Sequence, residues 1–274
     1  MLKLYHGSNS VCSVKVRIVL EEKRIEWESH HVDLPKGEQF SASFLEINPR
    51  SFVPVLVDGA FVLRESSVIC EYIDHLSSVN PLLPKSIRDQ ARTRVWGTQC
   101  IEYHDSVNTL TFASYQRSML LAKPQDELKK RWKSMPDQIR ANKLKDLVKN
   151  GGSSEYVPIA LQRMARLAKE VNDELAHSKW LIGDEYSLAD AMLTAYFFRA
   201  ECLGLEGLWE TRYPRTAEWY SRIKNRPSFK LAINPWLSES EMVKIKIAGQ
   251  QEFLSDSRFS NYVSLMLVTV LPMY

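Results

Sequence analysis

Residues 9–17 read Asn-Ser-Val-Cys-Ser-Val-Lys-Val-Arg and bring two hydroxyls and a thiol, Ser10, Cys12 and Ser13, into one helical turn. The stretch follows a short apolar run at residues 2–5 and leads into helical spacing over residues 14–22, so it sits at a strand-to-helix junction. The start of a helix presents free backbone N–H groups and the positive end of the dipole. A thiolate placed there is stabilised and its pKa falls. A serine hydroxyl there can instead donate to the thiolate of a bound ligand and activate it. The same residues also have plain structural uses: Ser10 or Ser13 as an N-cap, Cys12 as a small buried hydrophobe.

Two more groups carry possible chemistry. Val53-Pro54 enters an apolar, β-branched run. Proline is tolerated at a strand start; a cis bond would expose the N–H and C=O of Val53 to an extended peptide, which could pair there as an added strand. The alternative is an ordinary trans proline at a sheet edge. Arg64-Glu65-Ser66-Ser67 opens a helical pattern. There Glu65 can meet an ammonium while Ser66 and the free amides meet a carboxylate, the two ends of an α-amino-acid group. The alternative is Ser66 or Ser67 as a cap with Glu65 in solvent.

The elements that must hold these groups follow from the pattern. Strands are expected at residues 2–6, 28–32, 53–57 and 60–63, with Asp58-Gly59 as a hairpin turn. Helices are expected at 12–23 and 65–76, with a short helix or turn at 39–46, which makes a compact α/β unit with a mixed sheet. After a Ser/Asn/Pro linker the strand signals fade. Helical patterns run at 87–122 (one helix or two), 127–148 (interrupted at Pro136), 157–176, 187–203 and 216–225. Ser187-Leu-Ala-Asp190 reads as a capping box with Asp in place of Glu or Gln. The expected division is residues 1–78, 86–236 and a C-terminal extension at 237–274, poorly patterned until an apolar stretch begins at Tyr262.

Composition excludes several classes. In a chain of 274 residues a net charge of +3 is small for a nucleic-acid binder. The basic run Lys129-Lys130-Arg131-Trp132-Lys133, with Arg140, Lys143 and Lys145, reads as a solvated face. No apolar run reaches the ~20 residues that span a bilayer, so no stable membrane insertion is expected. His30-His31 lacks Cys or acid partners at ligand spacing, and no metal is expected. The four cysteines are too widely spaced for a disulfide framework. With no leader pattern at the start of the sequence, the expected compartment is the cytoplasm.

Taken in order, a hydroxyl at the first helix, Val-Pro before a strand, an Asp-Gly hairpin, Glu-Ser at a helix start and Ser-x-x-Asp in a helical half resemble the cytosolic glutathione S-transferase superfamily. The specific motifs are Asn48-Pro49-Arg50-Ser51-Phe52-Val53-Pro54 and Glu65-Ser66-Ser67-Val68-Ile69-Cys70-Glu71-Tyr72. Residues 10–17 are similar to the zeta class and to bacterial reductive dehalogenases of chlorinated hydroquinones. Residues 47–50, residues 65–72 and the inserted basic helices around 117–150 look like the bacterial β-aryl etherases that act on lignin-derived ethers. The insertion also resembles the membrane-anchored ganglioside-induced differentiation-associated proteins.

The resemblance implies a thioredoxin-like N-terminal domain with cis-Pro54, an all-helical C-terminal domain, and a homodimer. It implies glutathione as co-substrate, bound through Gln39, Phe52, Val53, Pro54, Glu65 and Ser66, with its backbone paired to Val53. Catalysis falls to Ser10, Cys12 or Ser13, each matching a different branch. The implied activity is attack of the glutathione thiolate on an apolar, aromatic electrophile, with residues 103–115 and 196–203 near the acceptor and an aryloxide or halide leaving. The alternatives are a thiol-redox enzyme or reductive dehalogenase using Cys12, and a non-catalytic membrane-associated binding protein. Phe52 departs from the pattern, since many relatives carry Gln or Lys there; the long tail departs too.

Overall fold

The computed structural model describes residues 1–254; the apolar stretch that begins at Tyr262 lies outside the described residues. The first half is βαβ followed by ββα: β1 (Leu2–His6), α1 (Val11–Lys23), β2 (Trp27–His31), a short α2 (Ala42–Ile47), β3 (Val55–Asp58), β4 (Phe61–Leu63) and α3 (Ser66–Leu76). The sheet order is β2-β1-β3-β4. β1 and β2 are parallel, with Leu4 opposite Ser29, and β3 runs antiparallel to β1, with Leu56 opposite Leu4. β4 returns antiparallel after the Asp58-Gly59 turn, where Gly59 takes φ +57°, a region glycine enters freely.

α1 is buried on almost every side. It packs on α3 and against two helices of the second half, so its pattern lacks a polar face. That half comprises α4 (Ile87–Ala113), α5 (Tyr115–Leu121), α6 (Gln125–Ser134), α7 (Gln138–Asn150), α8 (Tyr156–Glu174), α9 (Leu188–Cys202), α10 (Pro214–Lys224), α11 (Pro227–Ile233) and α12 (Glu239–Phe253). α4 and α5 split the expected long helix at Ser114. Pro136 separates α6 from α7, whose first turn is capped by Asp137 accepting from the Arg140 N–H at 2.9 Å.

The Ser187–Asp190 box is formed. Asp190 is fully buried; one oxygen accepts from the backbone and hydroxyl of Ser187 at 2.9 and 2.6 Å, the other from Leu181 N–H at 3.1 Å and Trp219 Nε1 at 2.7 Å. Within the expected extension, residues 239–253 form a helix, α12, that the sequence pattern did not show. α12 buries only Ile245, Gly249 and Phe253, one residue per turn, too thin a stripe to stand out. At Gly249 a Cβ would lie 2.1 Å from the Leu203 carbonyl oxygen, so α12 approaches the end of α9 backbone to backbone.

Candidate active site

The turn between β1 and α1 is pinned by two buried guanidiniums. Arg17, on α1, donates from Nη1 to the Gly7 carbonyl at 3.2 Å, from Nη2 to the Ser8 carbonyl at 3.0 Å, and from Nε to Ala232 O on α11 at 2.8 Å. Arg199, on α9, donates to the Asn9 carbonyl at 2.8 Å and to the Asn9 side-chain oxygen. Two hydroxyls then take different places. Ser10 is the N-cap of α1, its Oγ accepting from the Ser13 N–H at 3.3 Å, and it faces a cleft. Ser13 is fully buried, and its Oγ accepts from the Gly7 N–H at 3.3 Å.

Cys12, half-buried, has its sulfur 3.4 Å from Nδ1 of His104 on α4. The Ser66 hydroxyl donates to the same sulfur, and the Lys15 ammonium lies near it. Lys15 is itself buried, donating to Ser67 Oγ at 2.9 Å and to the Tyr196 hydroxyl at 3.4 Å. Burial pushes the Cys12 thiol up, but His104 by charge and hydrogen bond, then Lys15 and Ser66, outweigh it and bring it down to about 6. The other thiols move the opposite way: burial pushes Cys70 and Cys202 up to about 12 and raises Cys100. The histidine was not legible in the sequence, because nothing at residue 104 marks which helix face meets α1.

A cleft of about 140 Å³ opens beside the turn. One wall carries Ser10, Gln39, Phe52 and Val53; the other carries His104, Asn108, Thr111 and Phe112 of α4. The loop bearing Val53 is held by buried Asn48, whose amide donates to the Phe52 carbonyl at 2.8 Å. The Val53–Pro54 bond is cis. Gln39 is 6% exposed, and its Oε1 has no hydrogen-bond partner among the described residues.

The basic helices are not simply a solvated face. Arg131 of α6 and Arg140 of α7 line the cleft with Met135 and Leu144. The Arg140 guanidinium lies over the Phe52 ring, 4.8 Å from its centroid, and that of Arg131 over Phe40 at 5.5 Å. Burial holds both below the usual guanidinium range, and the charge of Arg140 lowers Arg131 further. The run does not form one surface: Pro136 ends α6, α7 folds back against it, and one side of the pair turns inward.

The family models for the glutathione S-transferase N-terminal and C-terminal domains match residues 9–76 and 121–222. Protein LigF of Sphingobium sp. is 30% identical over 84% of this chain and 91% of that protein. The chain belongs to the glutathione S-transferase family. Glutathione S-transferase TCHQD of Arabidopsis thaliana is 29% identical over 89% of this chain and 95% of its own length. Tetrachloro-P-hydroquinone reductive dehalogenase of Sphingobium chlorophenolicum is 28% identical over 84% and 95%. The crystal structure of beta-etherase LigF from Sphingobium sp. superimposes with a TM-score of 0.77, covering 85% of this chain and 99% of that one at 28% identity. The architecture is thus that of a glutathione S-transferase, a mixed-sheet N-terminal domain with a helical C-terminal domain, and glutathione is the co-substrate.

In this transferase the expected site residues fall in two neighbouring places. Ser10, Gln39, Phe52 and Val53 line the cleft. Cys12 and Ser66 meet beside it, and His104 belongs to both. Pro54 is buried behind the loop, and Glu65 is exposed in an ion pair with Arg50 at 3.2 Å.

Proposed function

We propose that the enzyme binds glutathione with its backbone along Val53 and its α-amino-acid end toward Glu65 and Ser66, and that the bound thiolate attacks an electrophilic carbon of an aromatic substrate. A carbon–sulfur bond forms, the bond to an aryloxide or halide breaks, the leaving group takes the electron pair, and the thiol proton passes to solvent. Ser10 is the activator. The carrying observation is that Ser10 and Val53 share one cleft with an apolar floor of Phe112, Met135 and Leu144. The Ser10 oxygen accepts from the helix backbone, which leaves its hydrogen free to donate to a thiolate. Ser13 has no comparable access, being buried under the turn.

The test is turnover of β-aryl ethers, chlorohydroquinones and chlorodinitrobenzene with glutathione. Aryloxide or halide release with formation of a glutathione conjugate is expected. No conjugate with any of the three, together with no glutathione binding, defeats the reading and favours a non-catalytic binding protein.

A second reading rests on the Cys12–His104 contact. A thiolate at Cys12 attacks the sulfur of a glutathione conjugate; the carbon–sulfur bond breaks, the carbon keeps the electron pair and takes a proton, and Cys12 is left in a mixed disulfide. A second glutathione then releases glutathione disulfide. Cys12→Ser separates the two: conjugate formation survives it, and reductive release does not.

The functional unit is a homodimer, supported by exposed Val68 on α3 and Val95 and Ile101 on α4, 51, 57 and 71% accessible; light scattering at the mass of one chain would refute it. A reducing, cytoplasmic setting suits four free cysteines, and among the described residues no helix is long and apolar enough to cross a membrane.

A further inference from the structure

Three guanidiniums line the cleft, those of Arg131, Arg140 and Arg199, and among the described residues none has a carboxylate ion pair. The nearest acids are otherwise engaged. Asp105 is paired with Lys143 at 2.7 Å and Arg163 at 3.5 Å, Asp137 caps α7, and Glu241, whose charge reaches Arg199, accepts from Tyr115 and Asn9. Arg199 is 1% exposed, with Nε and Nη1 lacking partners, and Arg131 Nε is likewise buried and unpartnered. Arg131 is steered inward by Nη1 donating to the Leu34 carbonyl at 3.3 Å, and Arg140 by the Phe52 face. Buried cations without counterions are costly, and a guanidinium matches a carboxylate through paired N–H donors.

We propose that helices α6 and α7 form a carboxylate-binding subsite, Arg131 and Arg140, for a ligand of the cleft. The inference rests on the glutathione reading and deepens it. Two sources offer this chemistry: the glycine carboxylate of glutathione, and an acid group on the aromatic acceptor. Gln39 and Phe40 place Arg131 beside the first; Phe112, Met135 and Leu144 place an apolar body next to the second. Phe52 then acts as the platform that holds Arg140 over the cleft.

The experiment uses the full chain, Arg131→Gln and Arg140→Gln, each checked for an unchanged melting transition. Calorimetric titration compares glutathione with its glycinamide analogue. Steady-state turnover compares chlorodinitrobenzene with chlorodinitrobenzoate. Loss of a charge-assisted pair predicts roughly ten-fold or greater weakening. Weakening for glutathione but not the glycinamide assigns the subsite to the co-substrate. A raised KM for the benzoate alone assigns it to the acceptor. Equal behaviour of both members in both pairs, with glutathione still bound, overturns the subsite and leaves the glutathione reading intact; absence of glutathione binding by the unaltered chain overturns that reading instead. If Arg131→Gln unfolds, Arg140→Gln decides, since among the described residues the Arg140 guanidinium has no ion pair and lies over the exposed Phe52 ring. Arg140→Lys, which keeps charge but loses the fork, recovers part of the affinity.

Discussion

Cys12 reports on its own surroundings. Its thiol, lowered to about 6 by His104, Lys15 and Ser66 against the effect of burial, is ionised at neutral pH. Alkylation with iodoacetamide should therefore rise as pH passes through about 6 and level off above it. The other three described thiols are buried and pushed up, so they stay silent. His104→Ala should move the midpoint upward, toward the ~8.5 of a free thiol; a midpoint already near that value in the unaltered protein would remove the thiolate. Because the folded thiol is lowered, it adds stability above the unfolded pKa that is lost as pH falls through about 6. At Ser10 the cap and the activator can be separated. Glycine replaces a serine cap at a cost of only a few tenths of a kcal/mol, whereas losing a donor to a reacting anion costs on the order of 10²-fold in rate. Ser10→Gly should keep its melting temperature and lose turnover; undiminished kcat/KM excludes the hydroxyl. Ser10, Cys12 and Ser13 were visible as a group in the sequence, but not which of them faces inward. A helix start sets all three within one turn, and only packing chooses among them.

The element that carries the second half is α9, and Asp190 is its foundation. Four donors converge on one buried carboxylate and join the box to the Leu181 loop and to Trp219 on α10. Asp190→Ala strands those donors in the core and should destabilise by at least ~3 kcal/mol, read as a lower denaturation midpoint; a change below ~1 kcal/mol would mean the donors find water. This motif was legible from four consecutive residues because capping is local. The strands and the Asp58-Gly59 hairpin were legible for the same reason. α11 and α12 were not: the first is one short run starting at Pro227, and the second shows a single buried residue per turn. The inward turn of Arg131 and Arg140 was hidden too, since charge reads as solvent-facing until another helix covers it.

Across the whole molecule the site belongs to neither half alone. Arg17 ties the first turn to α11, Arg199 ties it to α9, and the Cys12–His104 contact ties α1 to α4. α12 joins this assembly: its Glu241 accepts from the Tyr115 hydroxyl at 3.2 Å and from Asn9 Nδ2 at 3.5 Å. Gly249→Ala would press a methyl group into the Leu203 carbonyl and displace α12. A loss of ~1–3 kcal/mol is expected, accompanied by weaker glutathione binding because Asn9 and Tyr115 lose their partner. Unchanged melting and binding would show that α12 packs elsewhere. The sequence by itself determined the family, the order of elements, the Val-Pro loop and the Glu-Ser helix start, because these depend on residues close together in the chain. Only the tertiary structure decided that His104 meets Cys12, that Ser13 is sealed in the turn, and that two arginines of α6 and α7 line the cleft. Those facts arise from helices packing across long sequence separations, which no local pattern records.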